Sequence, residues 1–279
     1  MGSYYCLMSG LPDLSLDDAK SGPSMLSLKE DMEGELSAAD RDLLFVFFLK
    51  YDCQNLVKLL ANPEAEIDGR GNFTLEQYQD LMKSAREMNF NVHRFPSFMS
   101  EFARNYDYNK DAEGYFPTDA IALAYYEYAM RIPNKMMASW YALNFDVTNI
   151  LTALIARKNG WNVSDYILGN SEVCEMMRNN NAKDFDLQHE VDYMGELMQI
   201  AECENPVEKE KRIDLFKWTW LDEQTFFDPF TIEAVFAYLV KTDMMERWGQ
   251  LDAETGRETF RQIIENLRGE VRVPDEFKK

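Results

Sequence analysis

The clearest hydrophobic pattern in the chain runs from Ser139 to Trp161. Arg157 and Lys158 stand in its last turn, where positive charge is favourable for the helix dipole, and Gly160 is a candidate C-cap. The pattern predicts one long helix with a single apolar face. The apolar residues that recur three and four positions apart are Trp140, Leu143, Val147, Ile150, Leu151, Leu154 and Ile155.

Two polar residues, Asp146 and Asn149, lie one turn apart on the flank of this apolar face, on the same side as Ala142 and Ala153. Small residues allow a second helix to approach closely. A carboxylate and an amide at that place can hold the backbone or a basic side chain of the neighbouring helix. We therefore predict that Asp146 and Asn149 fix helix packing.

A similar pattern occurs earlier, from Phe45 to Ala61. When the two segments are aligned on their apolar faces, 94 residues apart, Asp52 falls on Asp146 and Asn55 falls on Asn149. Apolar faces of any two helices can be aligned, but the coincident Asp-x-x-Asn spacing indicates a structural repeat. We interpret both pairs as packing groups rather than catalytic ones.

Further helices are predicted along the chain because apolar residues keep helical spacing between capping and stop signals. Ser37 is a candidate N-cap for the first long helix, which Asn62-Pro63 ends, and Thr74 with Gln77 has the spacing of a capping box. Before Ser37 the pattern predicts only an extended segment or a short helix start. The other predicted helices lie within 93–108, 116–136, 171–180, 185–206, 207–227, 228–248 and 254–270.

The fold class predicted from these patterns is all-α, as one unit of 279 residues. No segment alternates like a strand between turn signals, and no stretch of eighteen apolar residues predicts a membrane span. The N-terminus lacks a secretory signal. The four cysteines never form a Cys-x-x-Cys pair, so reduced thiols in the cytoplasm are expected.

The chain is strongly acidic, with 49 acidic and 29 basic residues and a net charge of −20. This charge argues against nucleic acid or anionic lipid as a partner, because both require clustered lysine and arginine. Solubility is one interpretation of the charge, and a basic protein partner is the other.

No motif in the sequence indicates a cofactor, a metal or a catalytic residue. The segment starting at Asp107 resembles a calcium loop, but Ala112 replaces the glycine and Thr118 replaces the final glutamate. The two histidines, His93 and His189, have no partner at ligand spacing. Phosphate loops and nucleophile elbows are missing from the sequence.

Three segments carry a resemblance to a known family. LKYDCQNLVKLLA and ALNFDVTNILTALIARKNG resemble the Asp-x-x-Asn helices, ending near Arg/Lys-x-x-Gly, of the central-stalk adaptor family of V/A-type rotary ATPases. The segment from Asp228 to Trp248 is similar to the C-terminal part of that family. The chain opens on Tyr4-Tyr5 without the arginine pair of the family. In that opening it resembles a divergent bacterial family associated with V-type ATPase components.

The resemblance implies a funnel of helical modules, 38–130, 131–225 and 226–279, with residues 1–37 available to complete the third. It implies a non-catalytic adaptor that couples the rotating shaft to the membrane proteolipid ring. The protein would then be cytoplasmic and peripheral to the inner membrane, without direct lipid insertion, and would need no cofactor. The residues to which we assign a packing role are Asp52, Asn55, Asp146, Asn149 and Arg157.

Two other functions remain open. The first is a free-standing acidic helical-repeat module that binds a basic protein. The second is an enzyme whose catalytic residues are dispersed along the sequence.

Overall fold

The computed structural model describes residues 3–16, 22–87 and 95–250, and the regular secondary structure in these ranges is helical, without a strand. The predicted all-α class is confirmed. The α-helices of the described residues are α1 (Tyr5–Gly10), α2 (Met25–Glu35), α3 (Ala38–Ala61), α4 (Leu75–Arg86), α5 (Ser97–Asn109), α6 (Pro117–Ala129), α7 (Lys135–Lys158), α8 (Glu172–Asn179), α9 (Met194–Glu202), α10 (Pro206–Thr225) and α11 (Ile232–Gln250).

The helix starts follow the predicted caps. The Ser37 side chain accepts a hydrogen bond from the Asp40 N–H at the start of α3. At the start of α4, Thr74 and Gln77 form the predicted capping box, each side chain bonded to the backbone N–H of the other. These local signals therefore locate both helices correctly.

The end of α7 is closed by Gly160, which has a φ of +72°. The Trp161 N–H donates to the Ala156 carbonyl at 2.8 Å, and the Gly160 N–H donates to the Arg157 carbonyl at 3.0 Å. These two bonds form a Schellman motif, in which glycine is favoured because it adopts positive φ without strain. The predicted end of this helix is confirmed.

The predicted helix over 185–206 is wrong in its first half, because α9 begins only at Met194. Phe185 and Asp186 have φ values of +58° and +61°, which no right-handed helix accommodates. The turn places the Phe185 ring fully inside the core, so burial offsets the backbone strain. The predicted helix over 254–270 lies outside the described residues.

Three long helices meet at one aromatic side chain, Phe236 of α11. Its buried ring makes edge contacts with Phe47 of α3 and with Trp140 and Tyr141 of α7, at centroid distances of 6.0 to 6.5 Å. Aromatic edge contacts of this kind add to the free energy gained from burial. The helices α3, α7 and α11 are therefore held around a shared core.

The N-terminal segment packs on α11 and on the turn before it. The Tyr4 N–H donates to the Phe230 carbonyl at 2.8 Å, and the Tyr238 hydroxyl donates to the Pro12 carbonyl at 3.0 Å. The helix α2, which the sequence pattern did not predict, also contacts α11. The two ends of the described chain thus share one part of the core.

In the part of the chain that the structure describes, no helix combines the length and the apolar character required to cross a bilayer.

Candidate functional site

The first Asp-x-x-Asn pair lies on α3, and both side chains are completely buried. Asn55 bonds both backbone groups of a single residue, Asp68, in the loop after the helix. Its side-chain oxygen accepts from the Asp68 N–H at 2.7 Å, and its amide nitrogen donates to the Asp68 carbonyl at 2.9 Å. Two opposed bonds fix the position and the orientation of the loop. We call this arrangement an asparagine clamp.

Asp52 anchors the next part of the same loop. Its carboxylate accepts hydrogen bonds from the backbone N–H groups of Asn72 at 2.8 Å and Phe73 at 3.2 Å, and from the Tyr78 hydroxyl at 2.6 Å. Burial raises the pKa of Asp52, whereas the hydrogen bonds from Tyr78 and Asn72 act to lower it. The carboxylate is thus surrounded by donors that belong to the fold, which is the arrangement of a structural group.

The loop passes so close to these two side chains that it needs a glycine. A Cβ atom at Gly71 would lie 2.5 Å from the Asp52 Oδ1 and 3.2 Å from the Asn55 Nδ2. The Gly71 carbonyl also accepts a hydrogen bond from the Lys29 ammonium of α2 at 2.6 Å. The loop is therefore held from α2 and α3 together.

The second Asp-x-x-Asn helix, α7, carries a clamp with the same geometry. The Asn149 oxygen accepts from the Leu168 N–H at 2.8 Å, and its amide nitrogen donates to the Leu168 carbonyl at 3.1 Å. The adjacent Gly169 has a φ of +80°, and a Cβ atom there would lie 2.8 Å from the Phe145 ring. Each clamp thus holds a loop in which glycine permits close packing on the long helix.

Asp146 and Asp52 have different surroundings, although the sequence pattern treats them as equivalent. The Asp146 side chain is half-buried and accepts no hydrogen bond from the residues that the structure describes. Burial raises its pKa to about 6. Tyr193, beside α9, has its pKa raised first by burial and then by the Asp146 charge, which places the two side chains near each other. The repeat therefore extends to the asparagine but not to the contacts of the aspartate.

Arg157 lies in the last turn of α7 and holds a second segment of chain. Its guanidinium donates to the Asn180 carbonyl at 2.8 Å and to the Ala182 carbonyl, and it stacks over the Phe185 ring at 3.6 Å from the centroid. A planar guanidinium suits both contacts because it donates in its plane and stacks on its face. The left-handed turn at Phe185 is thereby attached to α7.

Acidic residues of α11 reach the first loop and α3, and the sequence analysis missed them. The Asp243 carboxylate accepts from the Lys50 ammonium at 2.5 Å and from the Tyr51 hydroxyl, and the Glu246 carboxylate pairs with Arg70 at 3.0 Å. The available signal was the spacing of Asp243 and Glu246, which stand one turn apart in an apolar helix. Their partners are distant in sequence and cannot be read from spacing.

The whole of this architecture lies within the range recognised by a family model. Residues 1–271 match the model of a family described as a protein of unknown function (DUF2764). The chain belongs to this family. Comparison with curated proteins and with solved structures gives no match. Both asparagine clamps of this DUF2764 protein therefore lie in the part of the chain that the family model covers.

The other candidate residues of the DUF2764 protein are dispersed. Asp107, in the segment that resembles a calcium loop, lies in the last turn of α5 and pairs with Lys110 at 2.8 Å. His189 is exposed, and His93 lies outside the described residues. Across residues 3–16, 22–87 and 95–250, no group of three or more His, Cys, Asp or Glu side chains is arranged to hold a metal ion.

The turn between α10 and α11 exposes aromatic side chains to solvent. Phe226 and Phe227 are 75% and 87% exposed, and Tyr5, which is 60% exposed, stacks against Phe230 with 4.8 Å between ring centroids. Adjacent exposed aromatic residues typically mark a contact surface. We call these four residues the aromatic turn.

An open acidic groove of about 790 Å³ runs between α9 and α10. Aromatic side chains, including Tyr193 and Trp220, form part of its wall, and Arg212 is the basic residue of its lining. Its shape and charge suit a basic polypeptide segment. The acidic residues that line it are Glu190, Asp192, Glu196 and Glu223.

Proposed function

We propose that this protein is a non-catalytic adaptor of the central stalk of a V/A-type rotary ATPase, which couples the rotating shaft to the membrane proteolipid ring. The observation that carries the proposal is the pair of asparagine clamps. They occur on two helices of 24 residues each, at the positions where the sequence resembles the Asp-x-x-Asn helices of the central-stalk adaptor family. The clamps support the idea of repeated helical modules.

An adaptor that transmits torque has to resist deformation. Each clamp fixes the loop after a long helix through two hydrogen bonds, and the ion pairs of α11 hold the first loop from a third direction. Closely packed cores transmit strain because they are poorly compressible. The proposed third module consists of α11 with the N-terminal segment, which pack on each other as such a module requires.

The aromatic turn is the surface that we assign to the neighbouring proteins of the ATPase. Phe226 and Phe227 form a projecting apolar pair with 5.1 Å between ring centroids. Aromatic anchors of this type contribute most of the free energy at many protein interfaces. The net charge of −20 complements basic surfaces on the shaft or the ring.

The alternative function is a free-standing module that binds a basic protein, and the acidic groove between α9 and α10 favours it. In that case the groove, not the aromatic turn, would carry the binding. Replacement of Glu196 and Glu223 by glutamine would then remove binding, and replacement of Phe226 and Phe227 would leave it unchanged.

Affinity capture from gently solubilised membranes of the host, followed by mass spectrometry, tests the proposal. We expect the tagged protein to recover the shaft proteins and the ring proteolipid. Phe226→Ala combined with Phe227→Ala should lower that recovery by more than about tenfold, since central aromatic residues each contribute about 2 kcal/mol or more at interfaces. Tyr108→Ala is the matched control, because Tyr108 is 90% exposed but lies in a different part of the surface.

Recovery of the tagged protein without the shaft and ring proteins would remove the adaptor proposal. If a basic soluble protein is recovered instead, and the groove variants release it, the alternative function is correct.

A further inference from the structure

A cavity of about 200 Å³ lies where α3, α6, α7, α10 and α11 come together. It is larger than the roughly 150 Å³ cavity that is known to hold benzene in another protein. Four aromatic side chains form much of its wall, namely Phe47, Tyr125, Trp140 and Tyr141. The space and its lining suit the ring of a small organic molecule.

Charged side chains line the opposite part of the cavity, and all but one of them are paired. Lys50 pairs with Asp243, and Arg247 pairs with Asp214. Lys217 of α10 makes no hydrogen bond and no salt bridge with any residue in the described ranges. The cavity lining therefore carries one positive charge without a partner.

The hydroxyl group of Tyr141 is a second unpartnered group in the same lining. Tyr141 is 2% exposed, and its buried oxygen has no hydrogen-bond partner, although the Tyr125 hydroxyl lies nearby. A buried polar group that lacks a partner costs about 1–3 kcal/mol, so such groups are uncommon in folded proteins unless a ligand or water completes them. The cavity thus offers a cation and a hydroxyl donor that the fold leaves unused.

We propose that this cavity binds a small aromatic monocarboxylate, whose carboxylate is held by Lys217 and Tyr141 and whose ring lies against the aromatic wall. One unpaired positive charge matches one carboxylate, and a hydroxyl group supplies a second donor to its oxygens. Burial of the ring accounts for the apolar side of the cavity. This binding site is separate from the aromatic turn and does not depend on the adaptor function.

The pH dependence of binding follows from the ionisation of Lys217. Burial lowers the pKa of Lys217 to about 8. Because the ammonium form binds the carboxylate, affinity should be constant at pH 6 to 7 and should fall about tenfold for each pH unit well above the pKa of the complex. The charged groups that face Lys217 are Asp214 and Glu210, which raise its pKa, and Arg247 and Lys50, which lower it. Burial raises the pKa values of Tyr125 and Tyr141, so both stay neutral.

Fluorine NMR with 4-fluorobenzoate as the probe tests the proposal on the full-length protein. We expect saturable binding, and weaker binding of 4-fluorobenzamide, which has the same shape without the charge. Lys217→Met keeps the length of the side chain and should weaken 4-fluorobenzoate binding by at least about tenfold, since hydrogen bonds to charged groups contribute about 1.5–3 kcal/mol. Lys211→Met, at an exposed position on the same helix, should leave binding unchanged.

Tyr141→Phe provides an independent second variant and should weaken binding severalfold while preserving the ring. Circular dichroism of each variant establishes that it is folded. The proposal is overturned if the folded protein does not bind 4-fluorobenzoate, if Lys217→Met binds it as tightly as the native protein, or if the benzamide binds equally well.

Discussion

Asp52 and Asn55 illustrate how an apolar helix accommodates completely buried polar side chains. Both have backbone partners in the loop that follows, and Asp52 also accepts from the Tyr78 hydroxyl. An unpartnered group would cost about 1–3 kcal/mol, so the contacts determine whether such a residue is tolerated. At the scale of single residues, the loop depends on the space beside these side chains as much as on the hydrogen bonds.

Gly71→Ala should lower the free energy of unfolding by about 2–3 kcal/mol, because the new methyl group would overlap the Asp52 carboxylate. The carboxylate cannot move aside without losing its bonds to Asn72 and Phe73. Urea denaturation provides the measurement. Gly69→Ala is the control in the same loop, since a Cβ atom there meets nothing within 4 Å. Equal stability of the two variants would contradict this account of the loop.

Asp146→Asn should stabilise the protein at pH 8 and have almost no effect at pH 4. Burial raises the pKa of Asp146 to about 6 in the folded protein, above its ordinary value of 3.8. The folded state therefore binds more protons between these two values, and stability falls as the pH rises through them. We expect a gain of about 1–2 kcal/mol at pH 8, after allowance for the partial exposure of the side chain.

Thermal unfolding at both pH values measures this effect. Asp192→Asn removes an exposed carboxylate near the same Tyr193 and should change stability little at either pH. A loss of stability in the Asp146 variant at pH 8 would show that this carboxylate has a stabilising partner.

At the scale of elements, α3 and α7 each carry the following loop through one asparagine side chain. Asn149→Ala should cost about 2–4 kcal/mol, because it removes two hydrogen bonds and leaves both backbone groups of Leu168 without the asparagine. Hydrogen exchange should accelerate at the Leu168 amide and remain slow at the Asp68 amide. In Asn55→Ala the two amides should exchange roles.

Thr148→Ala is the matched control for this experiment, because Thr148 lies at the surface and is adjacent to Asn149 on the same helix. Unchanged exchange at Leu168 in the Asn149 variant would mean that the clamp does not hold the loop.

The elements that the sequence predicted best are those with local signals. The caps at Ser37 and Thr74 and the glycine at the end of α7 depend on residues within one turn of each other, so spacing alone locates them. The helix α2 was missed because Gly22, Pro23 and Gly34 obscured its buried positions, which are Met25, Leu28 and Met32. The turn at Phe185 depends on burial of its ring in the core, which no local pattern reveals.

At the scale of the whole molecule, the contacts that join the long helices are distant in sequence. Lys50 and Asp243 are 193 residues apart, and their contact brings α3 and α11 together beside the cavity. The sequence indicated Asp52, Asn55, Asp146 and Asn149 through a repeated spacing, but the clamped loops, the cavity and the aromatic turn arise only when the helices pack. A functional surface of this kind belongs to the assembled core.

The most direct test of the adaptor function is the number of ions transported for each ATP hydrolysed by membrane vesicles from a host that lacks this protein. We predict that these vesicles transport few ions for each ATP, and that added native protein restores the ratio. The variant that combines Phe226→Ala with Phe227→Ala should not restore it. An equal ratio in vesicles with and without the protein would contradict the account, because removal of a coupling adaptor has to uncouple transport from hydrolysis.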